Sequence, residues 1–170
     1  MGQNATQTSI KVGRLKDLFD QEATQIVSET APKDQMYRTD PSRNFRWGHE
    51  ALRCIKLAVL AAGKDDLKNI FDLPCGHGWV LRTLKAAFPE AGITACDLNR
   101  DGVDFCARAF GATPVYARKL PEQIQIESSF DLIWCGSLLT HLDFERWPGF
   151  LRLSQSLLVQ DGISREVTSR

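Results

Sequence analysis

No apolar run in this chain approaches the roughly 18 residues that a membrane-spanning helix needs, so a transmembrane helix is excluded. There is no secretory signal and no Cys-x-x-Cys pair, and the five cysteines (Cys54, Cys75, Cys96, Cys106, Cys135) are an odd number. A disulfide framework and a zinc site are therefore not expected, and buried free thiols in a reducing cytoplasm are. The 21 basic and 21 acidic residues cancel, and no long basic run occurs, so no electrostatic footprint for nucleic acid is indicated. No metal-ligand cluster, internal repeat or low-complexity segment is visible. What remains is ordinary: 170 residues, 43% hydrophobic and 25% charged, the size and composition of one globular domain with a sizeable core.

Hydrophobic spacing divides the chain into alternating elements. Leu15, Leu18, Phe19, Ala23, Ile26 and Val27 recur at helical spacing over Ile10 to Val27, and Ala31 to Asn44, with its two prolines, reads as a loop. A second helix is expected over His49 to Ala62, stopped by Gly63. Strands are expected over Asn69 to Leu73, Ile93 to Asp97, Thr113 to Ala117 and Leu132 to Cys135. Helices follow over Trp79 to Phe88, Arg100 to Phe110 (stopped by Gly111) and Phe144 to Val159. Strands separated by helices imply right-handed crossovers: an α/β fold, Rossmann-like and doubly wound, around a mostly parallel sheet. A division at residue 48 separates an N-terminal helix and lid-like loop (1–48) from the domain proper (49–170).

The segment Asn69-Ile-Phe-Asp-Leu-Pro-Cys-Gly-His-Gly-Trp79 carries the chemistry. It reads as strand, acid, glycine turn and helix start. Glycines at such a turn let backbone N–H groups approach a ligand, because no Cβ intervenes. A second acid, Asp97, ends the next apolar run, where it can accept hydrogen bonds from both hydroxyls of a ribose. A dinucleotide fingerprint would need a third glycine, and Leu81 stands there; an acid at Asp72 would also repel pyrophosphate. Asp72 suits a cation instead, and S-adenosylmethionine carries a sulfonium and an ammonium but no phosphate.

The run Asp72-Leu-Pro-Cys-Gly-His-Gly78, with Asp97 and the strand Phe130-Asp-Leu-Ile-Trp-Cys135, resembles the motif set of the class I S-adenosylmethionine-dependent methyltransferases over about Glu50 to Gly162. Pro74 stands where that family usually has its first glycine. The resemblance implies S-adenosylmethionine as cofactor, with Asp72, Pro74, Gly76 and Gly78 at its methionine end. Asp97 would hold the ribose, Leu98 would pack on adenine, and backbone groups of Ala117 would lie near it. Gly136 would let the chain pass close to the transferring methyl. Tyr116 replaces the acid that often reads the adenine amino group; stacking on adenine or a half-buried strand role both stay open. His77 is expected near the methionine portion. His141, in Cys135-Gly-Ser-Leu-Leu-Thr-His-Leu-Asp143, is the general-base candidate, its alternative being a helix-capping role. Tyr37, Arg38, Arg46 and Trp47 would belong to a lid.

The implied function is methyl transfer to an oxygen or nitrogen of a small molecule or saccharide, without nucleic acid or membrane as partner. The tail Ile163-Ser-Arg-Glu-Val-Thr-Ser-Arg170 is too polar for a central parallel strand. Against the resembling family the domain reads as truncated, with at most a short edge strand here and self-association through the exposed sheet edge. Two other readings stay open: a non-catalytic module acting through that edge, and, with less support, an NAD-dependent oxidoreductase.

Overall fold

The computed structural model describes residues 26–34, 41–64 and 66–167. The elements, in chain order, are α1 (Pro41–Ala61), β1 (Asn69–Asp72), α2 (Leu81–Ala87), β2 (Gly92–Asp97) and α3 (Arg100–Phe110). They continue with β3 (Thr113–Tyr116), β4 (Phe130–Gly136), α4 (Trp147–Leu157) and β5 (Leu158–Val167). Single turns of 3₁₀ helix occupy Pro121–Gln123, Leu139–His141 and Phe144–Arg146.

The five strands form one parallel sheet in the order β3-β2-β1-β4-β5. The chain thus runs outward from β1 to β3, then returns to place β4 on the other side of β1. The reversal opens a crevice beyond the carboxyl ends of β1 and β4, where sheets of this kind take their ligands. Period-two alternation sorts the strand residues between two cores. Ile70, Ile93, Ala95, Leu132 and Trp134 pack with α1, α2 and α3 through Leu52, Ile55, Val59, Leu81, Leu84, Val103 and Cys106. Phe71, Cys96 and Ile133 pack on the opposite face with Phe150 and Leu157 of α4. Helices therefore cover both faces, as the alternation of strands and helices predicts.

The expected α3 and its Gly111 stop match the structure: Asn99 caps the helix start by accepting from the Gly102 N–H, and Gly111 takes φ 68° and donates to Ala107 O. Other boundaries moved. α1 begins at Pro41 rather than His49, because proline in a first turn has its φ already set and sacrifices no hydrogen bond there. The expected division at residue 48 consequently falls inside a helix. Phe144–Arg146 winds as 3₁₀ rather than opening the last helix, which starts at Trp147. The polar tail does pair: Ile163 to Val167 run in register with Leu132 to Gly136, and a register shift sets the preceding residues Val159–Gly162 apart from β4. Strand β4 is therefore covered, and β5 is the outer strand on that side of the sheet among the described residues. The helix expected over Ile10 to Val27 lies outside the described residues, apart from Ile26 and Val27, which are irregular. No helix among the described residues is long and apolar enough to cross a membrane.

Gly48, inside α1, looks like a weak point, since glycine in a helix interior is about 1 kcal/mol worse than alanine. Yet a Cβ there would stand 2.6 Å from the Trp79 carbonyl oxygen, and Thr83 Oγ1 donates to Gly48 O at 3.2 Å. The helix is pressed against the turn after β1. Gly48→Ala is therefore expected to destabilise, by about 1–3 kcal/mol in urea unfolding, where helix propensity alone predicts a gain; a stabilised variant would disprove the close contact.

Candidate functional site

The crevice is built around the turn that follows β1. Its path is set by backbone bonds to both neighbouring strands: the Leu73 N–H donates to Trp134 O and the Cys75 N–H to Cys96 O, each at 3.0 Å. The Leu73–Pro74 peptide bond is cis, and Pro74 is half-buried. Gly76 and Gly78 have φ of 51° and 76°, the left-handed region that side chains disfavour. The two glycines differ in surroundings. Nothing lies within 4 Å of a Cβ built at Gly76, so that side of the turn is open to a ligand. A Cβ at Gly78 would meet the Phe110 ring at 2.5 Å, so this glycine serves the packing of α3. A third glycine, Gly102, lies in the first turn of α3 against the Gly76 carbonyl, where a Cβ would collide with backbone.

Asp97 is held in place by the turn itself. Its Oδ2 accepts from the Gly76 N–H and its Oδ1 from the Asn99 N–H, both at 2.8 Å. A carboxylate has about four lone-pair sites, so two remain for a ligand's hydroxyls. Leu98, beside it, is 61% exposed.

Asp72 has the opposite surroundings. It is buried, and neither carboxylate oxygen has a hydrogen-bond partner among the described residues. Burial, with a smaller contribution from the nearby charge of Asp97, pushes its carboxyl well above the ordinary range. A buried acid without a partner is expensive unless something completes it. The same acid acts on the thiols around it. Contact with Cys106 and burial, then the charges of Asp72 and Asp97, push Cys75 up; burial, Asp97 and Asp72 push Cys96 to about 12. Burial, Glu166 and Asp72 push Cys135 to about 12. These thiols remain protonated at neutral pH and are not nucleophiles. Asp72 thus lies close to thiols on β2, β4 and the turn alike.

The other expected residues have the following surroundings. Gly136 ends β4, where a Cβ would meet the Trp134 indole nitrogen at 2.8 Å. Ser137, next in the chain, has φ 61°, an uncommon conformation for a residue with a side chain. The Ala117 N–H is committed to Asp97 O at 2.9 Å, leaving its carbonyl. His141 is exposed on the 3₁₀ turn Leu139–His141 beyond β4. His77 does not turn toward a methionine site: it is buried between Asp34, 3.8 Å from Nδ1, and Asp101, 3.3 Å from Nε2, because two carboxylates lie on that side of the turn. Tyr116 does not offer a free ring: its hydroxyl donates to Asp104 at 2.6 Å and the Arg100 guanidinium lies 4.2 Å above the ring. Arg46 and Trp47 are exposed on α1, while Tyr37 and Arg38 lie outside the described residues.

Sequence reasoning missed Gly48, Gly102 and Arg82. The glycines were detectable as glycines inside helical patterns, which usually mark close packing. Arg82 looked like any surface arginine of a helix, yet it is 2% exposed.

A family model described as "Methyltransferase domain" matches residues 71–164, more than half of the 170-residue chain. Among solved structures, an S-adenosylmethionine-dependent methyltransferase from Clostridium acetobutylicum superimposes with a TM-score of 0.58 at 18% identity, covering 76% of this chain and 53% of that one. Streptomyces venezuelae DesVI gives 0.63 at 14% identity, over 80% and 56%. An amino pentose methyltransferase from Micromonospora echinaspora, solved with S-adenosylmethionine bound, gives 0.58 at 18% identity, over 77% and 55%. The chain thus spans little more than half the length of these structures, and at such identities the likeness shows a common fold. No curated protein matches the sequence.

The raised Asp72 carboxyl has a definite sign in stability. The folded chain favours the protonated acid, so its contribution is lost as pH rises from the ordinary value of 3.8 through the raised one. Asp72→Asn abolishes this titration. In thermal unfolding of the unliganded chain from pH 4 to 8, the variant is expected to gain on the wild type steadily with pH; a constant difference would contradict the unpartnered burial.

Proposed function

Since this chain belongs to the methyltransferase-domain family, we propose that it transfers the methyl group of S-adenosylmethionine to an oxygen or nitrogen of a small molecule or saccharide. The observation that carries the reading is the pair of acids: Asp72, buried and unpartnered, beside Asp97, held open by two backbone N–H groups. These residues fit that cofactor. Asp72 answers a cationic methionine end, directly or through water, and the unpartnered carboxyl is then compensated. Asp97 accepts the two ribose hydroxyls, Gly76 leaves backbone room on its open side, and Leu98 supplies an apolar surface for the base. A dinucleotide fits less well, because Asp72 would face its phosphates.

When bound, S-adenosylmethionine supplies an electrophilic methyl group. The chain's own work is alignment and proton removal. In this reading the glycine turn and the end of β4 border the reacting centre, and Gly136 lets the Trp134 indole pack beside it. His141, on the loop after β4, is the group we assign to accept the proton of the acceptor's hydroxyl or amine. A saccharide acceptor draws support from the Micromonospora relative, named for its amino pentose substrate. Residues 49–170 act as the cofactor-binding domain and 1–48 as a lid-like region, with α1 crossing the boundary. The five free thiols support a reducing, cytoplasmic setting, and the outer edge of β5 is the surface through which a homo-oligomer would form.

Calorimetric titration of the chain with S-adenosylhomocysteine and with NAD tests the reading. Micromolar binding of S-adenosylhomocysteine is expected, weakened about 10- to 100-fold in Asp97→Ala through loss of hydrogen bonds to a charged acceptor. A folded chain that binds neither ligand, or NAD alone, would overturn it. In an acceptor screen, His141→Ala is expected to lower kcat about 10²-fold or more while leaving S-adenosylhomocysteine affinity intact.

A further inference from the structure

The segment before α1 is fastened to the cofactor turn. Arg82, in the first turn of α2, is buried, and its guanidinium joins two separate pieces of chain: Nε donates to Gly78 O at 3.1 Å and an Nη donates to Val27 O at 3.2 Å. Three rings from three elements enclose it, Phe45 of α1, Trp79 of the turn and Phe110 of α3, with centroids 5.3, 5.0 and 5.3 Å away. A guanidinium donates in its plane and stacks through its faces, so it can bridge two carbonyls and hold aromatic rings together; an ammonium cannot do both.

A second, independent link joins the same two pieces. His77, between the two glycines, faces Asp34 at 3.8 Å and Asp101 at 3.3 Å, and Lys33 pairs with Asp101 at 2.8 Å. Arg108 of α3 pairs with Glu29 at 3.2 Å. Residues 26–34 are thus held at Val27, Glu29, Lys33 and Asp34, and two of those four contacts end on the glycine turn or its arginine.

We infer that Arg82 is a positioning residue: it couples docking of residues 26–34 to the shape of the Gly76–Gly78 turn, so that the segment and the ligand strengthen each other's hold. The inference rests on the reading of this turn as the cofactor site. The Gly78 carbonyl closes the turn that the open Gly76 begins, and Arg82 holds it twice, through its backbone N–H and through Nε, each at 3.1 Å, which keeps the turn in this form. Because coupling free energies are reciprocal, a ligand that stabilises this form tightens the segment, and a loosened segment weakens the ligand.

The test uses the full chain as wild type, Arg82→Lys, Arg82→Met and Asp34→Asn. S-adenosylhomocysteine affinity is read by calorimetry, and amide hydrogen exchange over 26–34 and 76–78 is read with and without that ligand. In the wild type the ligand is expected to raise protection over both stretches. Arg82→Lys, which keeps the charge, should unfold cooperatively yet bind about tenfold more weakly, and ligand should no longer protect 26–34. Asp34→Asn, which leaves α2 untouched and remains informative should Arg82→Met fail to fold, should weaken binding several-fold, and its effect should not add to that of Arg82→Lys. Unchanged affinity in Arg82→Lys, or weaker binding with ligand protection of 26–34 intact, would overturn the coupling. Exchange without ligand separates this from the site assignment: faster exchange over both stretches in Arg82→Lys supports the coupling even in a chain that binds no S-adenosylhomocysteine, and exchange confined to the turn refutes it.

Discussion

The structure depends on how closely backbone can approach backbone around the turn after β1. Gly102 lets α3 lie on the Gly76 carbonyl, Gly48 lets α1 lie on the Trp79 carbonyl, and Gly78 leaves room for the Phe110 ring. Two of these contacts bring α3 and one brings α1 to the same short turn, and each is incompatible with a Cβ. The helices α1 and α3 can therefore pack closely against the turn from which α2 sets out. The exposed consequence is Gly76, the only one of these glycines whose missing Cβ faces open space.

Two acids of the same type take opposite roles there because their surroundings differ. Asp97 stands at the end of β2 within reach of two backbone N–H groups that the turn and the start of α3 aim at it. Asp72 stands one strand inward, where β2 and β4 flank it and no donor among the described residues reaches it. The first is a prepared acceptor and the second an unmet demand for positive charge. Such an arrangement lowers the stability of the empty chain in exchange for ligand specificity, a common feature of binding sites. Arg82, although cationic and close by in sequence, is held by Gly78, Val27 and its aromatic neighbours.

The parts of the fold visible beforehand were those set by local pattern. The strand and helix alternation, the bounds of α3 and the left-handed turn at Gly76 and Gly78 follow from spacing, glycine conformation and capping, whereas Gly78, expected to give a ligand backbone access, packs against Phe110. The start of α1 was misplaced because two prolines and several polar residues look like a loop, whereas one proline sits in the first helical turn. The pairing of the tail was underestimated because its polar residues suit an outer strand, a position that depends on where β4 lies. The partners of His77 and Tyr116, namely Asp34, Asp101, Asp104 and Arg100, were not legible because folding alone brings those side chains together.

The sequence by itself determined the α/β class, the glycine turn and the two acids at strand ends, because those depend on residues adjacent in the chain. Only the tertiary structure decided which glycines face open space and which face a helix, that Asp72 has no hydrogen-bond partner among the described residues while Asp97 has two, and that Arg82 is buried between distant segments. Burial and partnership are properties of space: they arise from elements packed together across long stretches of chain, and no local pattern encodes them.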